Sequence, residues 1–401
     1  VSFTQIKDHV LEYVRSLKNP NAEKIEEAML QKNSSFLGEN LIECIQTIDP
    51  KLVTDTENTA YFYFNNSIVQ VNKESGISIS NYNSGLVWES QIIKSDIELI
   101  NIDKSDFEKF IYKVSGQDPE NFKAFQTAIG YLLHSYKDSS NAKVVVLCDQ
   151  KVTDFPDGRT GKSLFGKAIS KMKRSVRIDG KNFNFNSRFT FQQVELDTQV
   201  LEFNDVKKDF DFENLFSVVT DDMTIENKGQ RPFVIPFDRS PKILASTNFT
   251  IRGMGSSYRD RLFEIEFSDF YNEQHRPIDD FGRRFFDEWD ETEWNKFYNF
   301  MFNCVLIYLR DGLVSPKNLN LQRRKLFDST TREFVEFMED QEPIAGDCKK
   351  ILYQNFQSKF PDYLILTQNK FSKWIRTYCS IKGLNLTEKR SNGNDYITIS
   401  K

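Results

Sequence analysis

The chain has 401 residues, 39% hydrophobic and 28% charged, which is enough apolar surface for a large core shared among two or three domains and excludes a disordered chain. Lys+Arg 53 against Asp+Glu 58 gives a formal net charge of −5, so a surface uniformly positive toward nucleic acid is excluded and any basic patch must be local. Five scattered cysteines without a CxxC pair and three histidines speak against a disulfide framework and a zinc site. No apolar run approaches a membrane span, so the expectation is a soluble, cytoplasmic chain with no membrane partner. It opens on Val1 rather than Met, as expected of a piece of something longer.

In chain order, the first fifty residues repeat apolar side chains at helical spacing (Ile6, Val10, Val14; then Ile25, Ala28, Met29). Between Asp55 and Leu99, short β-type runs at Ala60–Phe64, Ile68–Val71 and Gly85–Trp88 predict a small sheet. Helical periodicity returns over Ser105–Tyr136, where His134 among apolar neighbours reads as a hydrogen-bonded structural residue rather than a ligand. From 141 to 312, strands and helices alternate as in a parallel sheet covered on both faces, with strands expected at Lys143–Leu147, Thr198–Phe203, Lys242–Ser246 and Leu262–Phe267. Gly312 and Pro316 end that pattern, and Leu313–Gln322 reads as a linker. From Pro343 to Lys401, ten Lys/Arg oppose four Asp/Glu, a net of +6 that leaves −11 for the first 342 residues. Helical segments at Glu333–Met338, Lys349–Phe356 and Asn369–Tyr378, then strands at Leu384–Leu386 and Asp395–Ile399, suggest a winged helix. Lys370, Lys373 and Arg376 would then lie near one helix face toward phosphates, with Lys389 and Arg390 on the wing; the other reading is a solvated basic face on a packing domain.

The sharpest local signal is Pro156-Asp157-Gly158-Arg159-Thr160-Gly161-Lys162-Ser163 ahead of a helical run. Gly-Lys-Ser at a strand-to-helix junction lets backbone N–H groups of Gly158, Arg159, Thr160 and Gly161 surround a polyphosphate, with Lys162 on the phosphates and the Ser163 hydroxyl on Mg²⁺. Pro156 stands where the first glycine of such a loop belongs. About forty residues on, the apolar strand Val200–Val206 ends at Asn204-Asp205, placing a carboxylate for the metal ion. Lys242–Asn248 is an apolar strand ending in an amide that can orient water, and Arg252, Arg259 and Arg261 precede the last strand.

In this order, the motifs of residues 141–270 resemble the ATPase core of superfamily 3 helicases, the AAA+ group of viral, phage and mobile-element replication proteins, and most of all its phage and plasmid primase-helicase type. The resemblance implies an α/β fold: a P-loop core of mainly parallel strands with flanking helices at 141–312, a mostly helical N-terminal domain with a small sheet at 1–140, and a C-terminal winged-helix-like module at 313–401. It implies ATP and Mg²⁺ as ligands, Lys162 and Ser163 on phosphate and metal, Asp205 as the acid of the second motif and Asn248 as the polar sensor. Thr224–Ile235 is similar to the family's basic β-hairpin, with its turn at Lys228–Arg231 and Lys228 and Arg231 facing nucleic acid. Arg261, with Arg259 as runner-up, matches the finger that reaches a neighbouring subunit's ATP, so a homo-oligomeric, hexameric ring is implied. Single-stranded or forked DNA is the implied partner, with a primase upstream or separate, in a bacterial or phage-infected cell.

One departure matters: the family's second motif ends in two adjacent acids, and here the first is Asn204, with Glu202 two residues earlier on the same strand face as an alternative carboxylate. That departure and the acidic body keep a second reading open: an ATP-gated ring assembly or regulatory protein with weak hydrolysis and no unwinding.

Overall fold

The computed structural model describes residues 3–36, 38, 51–82, 85–100, 103–150, 159–207, 210–229, 231–249, 256–317, 325–327, 329–341, 344–391 and 393–400. The chain divides into two compact units, Val1–Leu52 and Val53–Lys401. The first is helical, as its periodicity predicts: α1 (Phe3–Ser16), α2 (Ala22–Gln31) and a short α3 (Asn33–Phe36), with Arg15 on α1 paired to Glu26 on α2 at 2.6 Å.

The second unit opens with a four-stranded sheet of β1 (Thr59–Phe64), β2 (Ile68–Asn72), β3 (Gly76–Ser80) and β4 (Ile92–Ile93), in the order β3-β2-β1-β4. Two of the three expected strands form. The third does not: Gly85–Trp88 supplies a single bridge, the Leu86 carbonyl accepting from Val53 N at 2.9 Å. The edge is instead Gly76–Ser80, a largely exposed strand whose serines dilute the apolar signal. The helical stretch 105–136 is two helices, α4 (Asp106–Val114) and α5 (Pro119–Leu133), parted at Gly116 and Gln117, both with positive φ. Ser105 caps α4 by accepting from Glu108 N at 3.0 Å, and Asp118 caps α5 ahead of Pro119.

The central layer follows: β5 (Val144–Asp149), α6 (Lys162–Met172), β6 (Ser175–Asp179), β7 (Val200–Val206), α7 (Glu213–Thr220), the antiparallel hairpin β8 (Met223–Ile225) and β9 (Phe233–Ile235), β10 (Lys242–Thr247), α8 (Ser256–Arg261) and β11 (Leu262–Phe267). β5, β6, β7, β10 and β11 form one all-parallel sheet in the order β11-β5-β10-β7-β6. The fold class is therefore α/β, as expected. The four strands anticipated in this region are all present, and β6 is a fifth.

Alternation along these strands divides the core in two. Val145, Leu147, Val200, Leu244, Phe263 and Ile265 face a cluster that also takes in Phe62 and Phe64 of the small sheet, α4, α5, α6 and, further on, α10 (Glu291–Asp311). Residues on both sides of position 140 share this core. Val144, Val146, Leu201, Phe203, Ile243 and Ala245 face the second cluster, against α7 and the hairpin. Between β11 and α10 lies a short α9 (Pro277–Phe281). Leu313–Lys317 leaves α10 along α5, Val314 N donating to Thr127 Oγ1 at 3.1 Å.

The last segment has its own core, around Phe334, Phe356, Phe371, Trp374 and Ile397. Its order is α11 (Arg332–Asp340), β12 (Ala345–Cys348), α12 (Lys349–Lys359), α13 (Gln368–Lys382), β13 (Asn385–Ser391) and β14 (Asn394–Ser400), with an antiparallel sheet β12-β14-β13. The three helices and the hairpin match the sequence pattern; β12, an Ala-Gly-Asp-Cys strand of no β propensity, does not announce itself. No helix among the described residues is long and apolar enough to cross a membrane.

Candidate nucleotide site at the carboxyl edge of the sheet

In an open parallel sheet, ligands bind beyond the carboxyl ends of the strands, and the predicted residues gather at that edge. β10 lies between β5 and β7, so the tips of β5 and β7 are about 10 Å apart, two strand spacings. β5 ends at Asp149. From α6 and the turn before it, Lys162 and Thr160 converge on that carboxylate: the Thr160 hydroxyl donates to Asp149 Oδ1 at 2.5 Å and the Lys162 ammonium to the same oxygen. Both partners of the ion pair are nearly buried, at 10% and 8% side-chain exposure, so the lysine is held in place beside the helix N-terminus rather than spread into solvent.

Gly161 is the residue that makes this turn possible. Its φ of +102° lies where only glycine is unstrained, and a Cβ there would come 2.5 Å from the Phe110 ring. It is also the N-cap of α6 and carries no capping side chain, which leaves the first helix N–H groups open toward the edge, with Ser163 exposed beside them. Arg159 has a positive φ of 65° and its guanidinium reaches Glu273 at 2.7 Å. Gly158 lies outside the described residues.

At the tip of β7 the register against β10 slips between Ala245 and Thr247, opposite Phe203 and Val206, so β7 carries one extra residue. The bulge puts Asp205 at φ +56° and breaks the alternation that would have buried it. Its carboxylate turns across to the next strand, accepting from Asn248 Nδ2 at 3.1 Å, while Asp205 N donates to Ser246 Oγ at 2.9 Å. Lys181 closes the cluster on the other carboxylate oxygen at 2.6 Å, an interaction that lifts the lysine above its ordinary range. Two of the four positive-φ residues other than glycine among the described residues, Arg159 and Asp205, thus sit at this edge, where strain of that kind concentrates in functional sites.

Asn204 is half-buried and its carbonyl accepts from Gly180 N at 2.8 Å. Glu202, the alternative carboxylate, is 3% exposed and clasped by Arg177 through two bonds of 2.9 Å. It lies directly under α6: a Cβ on Gly166 would come 2.3 Å from Glu202 Oε1. Glu202 therefore packs helix to strand beneath the site.

Arg261 does not join this edge. It ends α8, and β11 begins by pairing Leu262 with Val144, the first residue of β5, so Arg261 stands at the amino edge of the sheet. Six strand residues, about 20 Å, separate that edge from the tip of β5. Its guanidinium lies 5.3 Å from the Phe216 ring centre. Arg252 and the side chain of Arg259 are outside the described residues. The hairpin forms where expected, with Lys228 and Arg231 exposed in the connection between β8 and β9. On α13, Lys370, Lys373 and Arg376 are exposed; Arg376 pairs with Glu388 of β13 at 3.3 Å, and Lys370 lies 5.6 Å from the Trp374 ring centre.

Sequence reasoning missed Asp149 and Lys181. The first had a signal, an acid ending an all-apolar strand; the second had none, because its pairing with Asp205 depends on the β6–β7 register that sets Asp179 opposite Asn204.

A family model described as a family of unknown function (DUF5906) matches residues 156–261, the stretch from the phosphate-loop sequence to Arg261. No curated protein matches the chain. Among solved structures it is similar to the A form apo structure of the NrS-1 C terminal region, at 14% identity over 92% of this chain and 91% of that one, with a TM-score of 0.41. A second A form apo structure of that region, 305–718, gives 13% identity over 77% of each chain and a TM-score of 0.35. JCV helicase bound to an acetamide compound gives 14% identity over 59% and 64%, with a TM-score of 0.31.

Proposed function

We propose that the chain is an ATP-dependent DNA helicase or translocase of the superfamily 3 type, hydrolysing ATP at subunit interfaces of a ring. The observation that carries this reading is the convergence of Lys162, Asp205 and Asn248 on one edge of a parallel sheet, with Arg261 on the opposite edge. A phosphate loop, an acid and an amide on adjacent strand tips bind and position a polyphosphate and a water. An arginine about 20 Å away cannot serve its own site and serves a neighbour's.

The residues fit Mg²⁺. Asp205 already holds a cation, the Lys181 ammonium, and magnesium needs only one or two protein ligands beside the phosphates. Ser163 and Asp205 would hold it. When bound, the ion neutralises charge on the phosphate oxygens. The open N–H groups of α6 and the Lys162 ammonium bind the phosphates, Lys162 exchanging Asp149 for them. Asn248, tethered to Asp205, orients the attacking water, and Arg261 of an adjacent subunit stabilises the charge that develops.

The hairpin and the tail supply the nucleic-acid contacts. Lys228 and Arg231 are exposed on a two-stranded projection, and we read the tail's order of helix, strand, two helices and hairpin as a winged-helix module with its basic face on α13. Unwinding of a forked DNA duplex tests this: Lys228→Ala should lower the unwinding rate at least tenfold while ATP hydrolysis without DNA stays within twofold. Unchanged unwinding would remove the hairpin from the mechanism. The assembly reading has Asn204 in its favour, and a chain that oligomerises with ATP yet neither binds nor responds to DNA would establish it instead.

A further inference from the structure

At the amino edge of the same sheet, opposite the nucleotide site, lies a cavity of about 340 Å³ that none of the functional residues above touches. It is bounded by the start of β10, the end of α5 and the end of α10, and two buried lysines open into it, with the exposed Lys73 and Arg310 at its rim. Lys242 is 3% exposed; its ammonium donates to the Tyr131 carbonyl at 2.8 Å and lies 3.9 Å from the Tyr131 ring centre. Lys137 is 8% exposed, donates to Ser240 Oγ at 2.6 Å and lies 4.4 Å from the Phe237 ring centre. Neither has a carboxylate within ion-pair distance among the described residues.

Two buried ammonium groups that share a cavity without an ion-pair partner are costly, and the carboxylates around them, Asp238 for Lys137 and Asp55 for Lys242, offset that cost only in part. The nearest buried carboxylate, Asp55, is committed to Lys173 at 3.6 Å and to the amides of Tyr61 and Ser135 at 2.8 and 2.7 Å. Of the acids at the rim, Asp311 pairs with Lys123 at 2.8 Å and Asp138 caps its own turn at Ser140, while Glu57 is exposed. His134 is neutral there, burial holding it down to about 4, and its Nε2 is bonded to the Thr56 carbonyl at 2.8 Å. Burial likewise pulls Lys137 down to about 8, partly offset by Asp238, and Lys242 well below its ordinary value, partly offset by Asp55, as expected of groups without an ion-pair partner.

The walls are aromatic. Tyr131, Tyr136, His134 and Tyr308 line the same space, and the His134 and Tyr136 rings stack at 5.9 Å. We propose that this cavity is a second ligand site, separate from the phosphate loop, that takes a small phosphate-bearing ligand of nucleoside monophosphate size, with Lys137 and Lys242 on the phosphate and the tyrosines against the ring. The volume falls in the range of small-molecule sites, and buried cations beside flat aromatic faces are the two features such a ligand requires.

The test uses the full chain carrying Lys162→Ala, so that the first site is disabled, and titrates adenosine 5′-monophosphate by calorimetry, with adenosine and inorganic phosphate as separate arms. The expected result is saturable binding of the monophosphate, weakened roughly tenfold or more by Lys137→Gln and by Lys242→Met, as loss of a charge-assisted contact predicts. Adenosine should bind at least tenfold more weakly. Binding of inorganic phosphate as tight as that of the monophosphate would overturn the ring contact, and no binding, or binding unaffected by Lys137→Gln, would overturn the site. Should Lys242→Met not fold, Lys137→Gln decides alone, since its side chain reaches only Ser240 and a ring face.

Discussion

At the residue scale the most informative position is Asn204, because it stands on the strand that carries Asp205 and differs from the expected acid by one atom. If a second carboxylate is what this edge lacks, Asn204→Asp should raise the turnover number by about tenfold or more with little change in ATP affinity, as restoring a general base does. Single-turnover hydrolysis reads this directly; an unchanged rate means that Asn248 and Asp205 suffice. His134 was legible from the sequence alone, an imidazole among apolar neighbours, and its bond to Thr56 confirms a structural role. Burial depresses its folded value to about 4, below the unfolded value near 6.5, so the unfolded chain binds more protons across that interval. Stability is full above pH 6.5 and falls as the pH drops toward 4, by on the order of 2–3 kcal/mol. Denaturant melts at pH 7 and pH 5 should show a loss that His134→Gln reduces; equal slopes in the two proteins would refute it.

At the scale of elements, α6 is set by contacts on both of its sides. Its N-terminal turn depends on Gly161 against Phe110, and its body approaches β7 so closely that Gly166 leaves no room for a Cβ above Glu202. Gly166→Ala must therefore lift the helix or disturb the Arg177–Glu202 pair, at a cost of about 1–3 kcal/mol. We expect a lower melting temperature together with weaker ATP binding, because on the proposed reading the same helix presents the phosphate loop; weaker binding without any loss of stability would argue against this coupling. The strands and helices of the central layer were legible because apolar runs and periodicity announce them, and the residues at their tips followed. What was not legible depends on register. The bulge that turns Asp205 toward Asn248, the pairing of Lys181, and the place of Arg261 at the far edge are decided by how strands align, which a single strand's sequence does not carry. Likewise β3 and β12, thin in apolar residues, exist because neighbouring strands pair with them.

At the scale of the whole molecule, one parallel sheet offers two chemically distinct edges. The carboxyl edge gathers Lys162, Asp205 and Asn248, the groups proposed to bind and orient a nucleotide; the amino edge carries Arg261 and the lysine cavity. On the proposed reading, a chain so arranged completes its site only beside a second copy, because Arg261 stands at the edge opposite Lys162. Mixing tests this. Arg261→Ala chains and Lys162→Ala chains, each inactive alone, should recover part of the ATPase activity when combined, because some interfaces then pair an intact loop with an intact arginine. No recovery, with both variants folded and oligomeric, would place Arg261 outside the site.

The measurement that bears most directly on the account is the steady-state ATPase rate of the chain with and without single-stranded DNA, beside Lys162→Ala. The account predicts hydrolysis that DNA raises several-fold and that Lys162→Ala reduces by about a hundredfold or more, since the lysine contacts the transferring phosphoryl group. A rate indifferent to DNA, or equal in the Lys162→Ala chain, would contradict it.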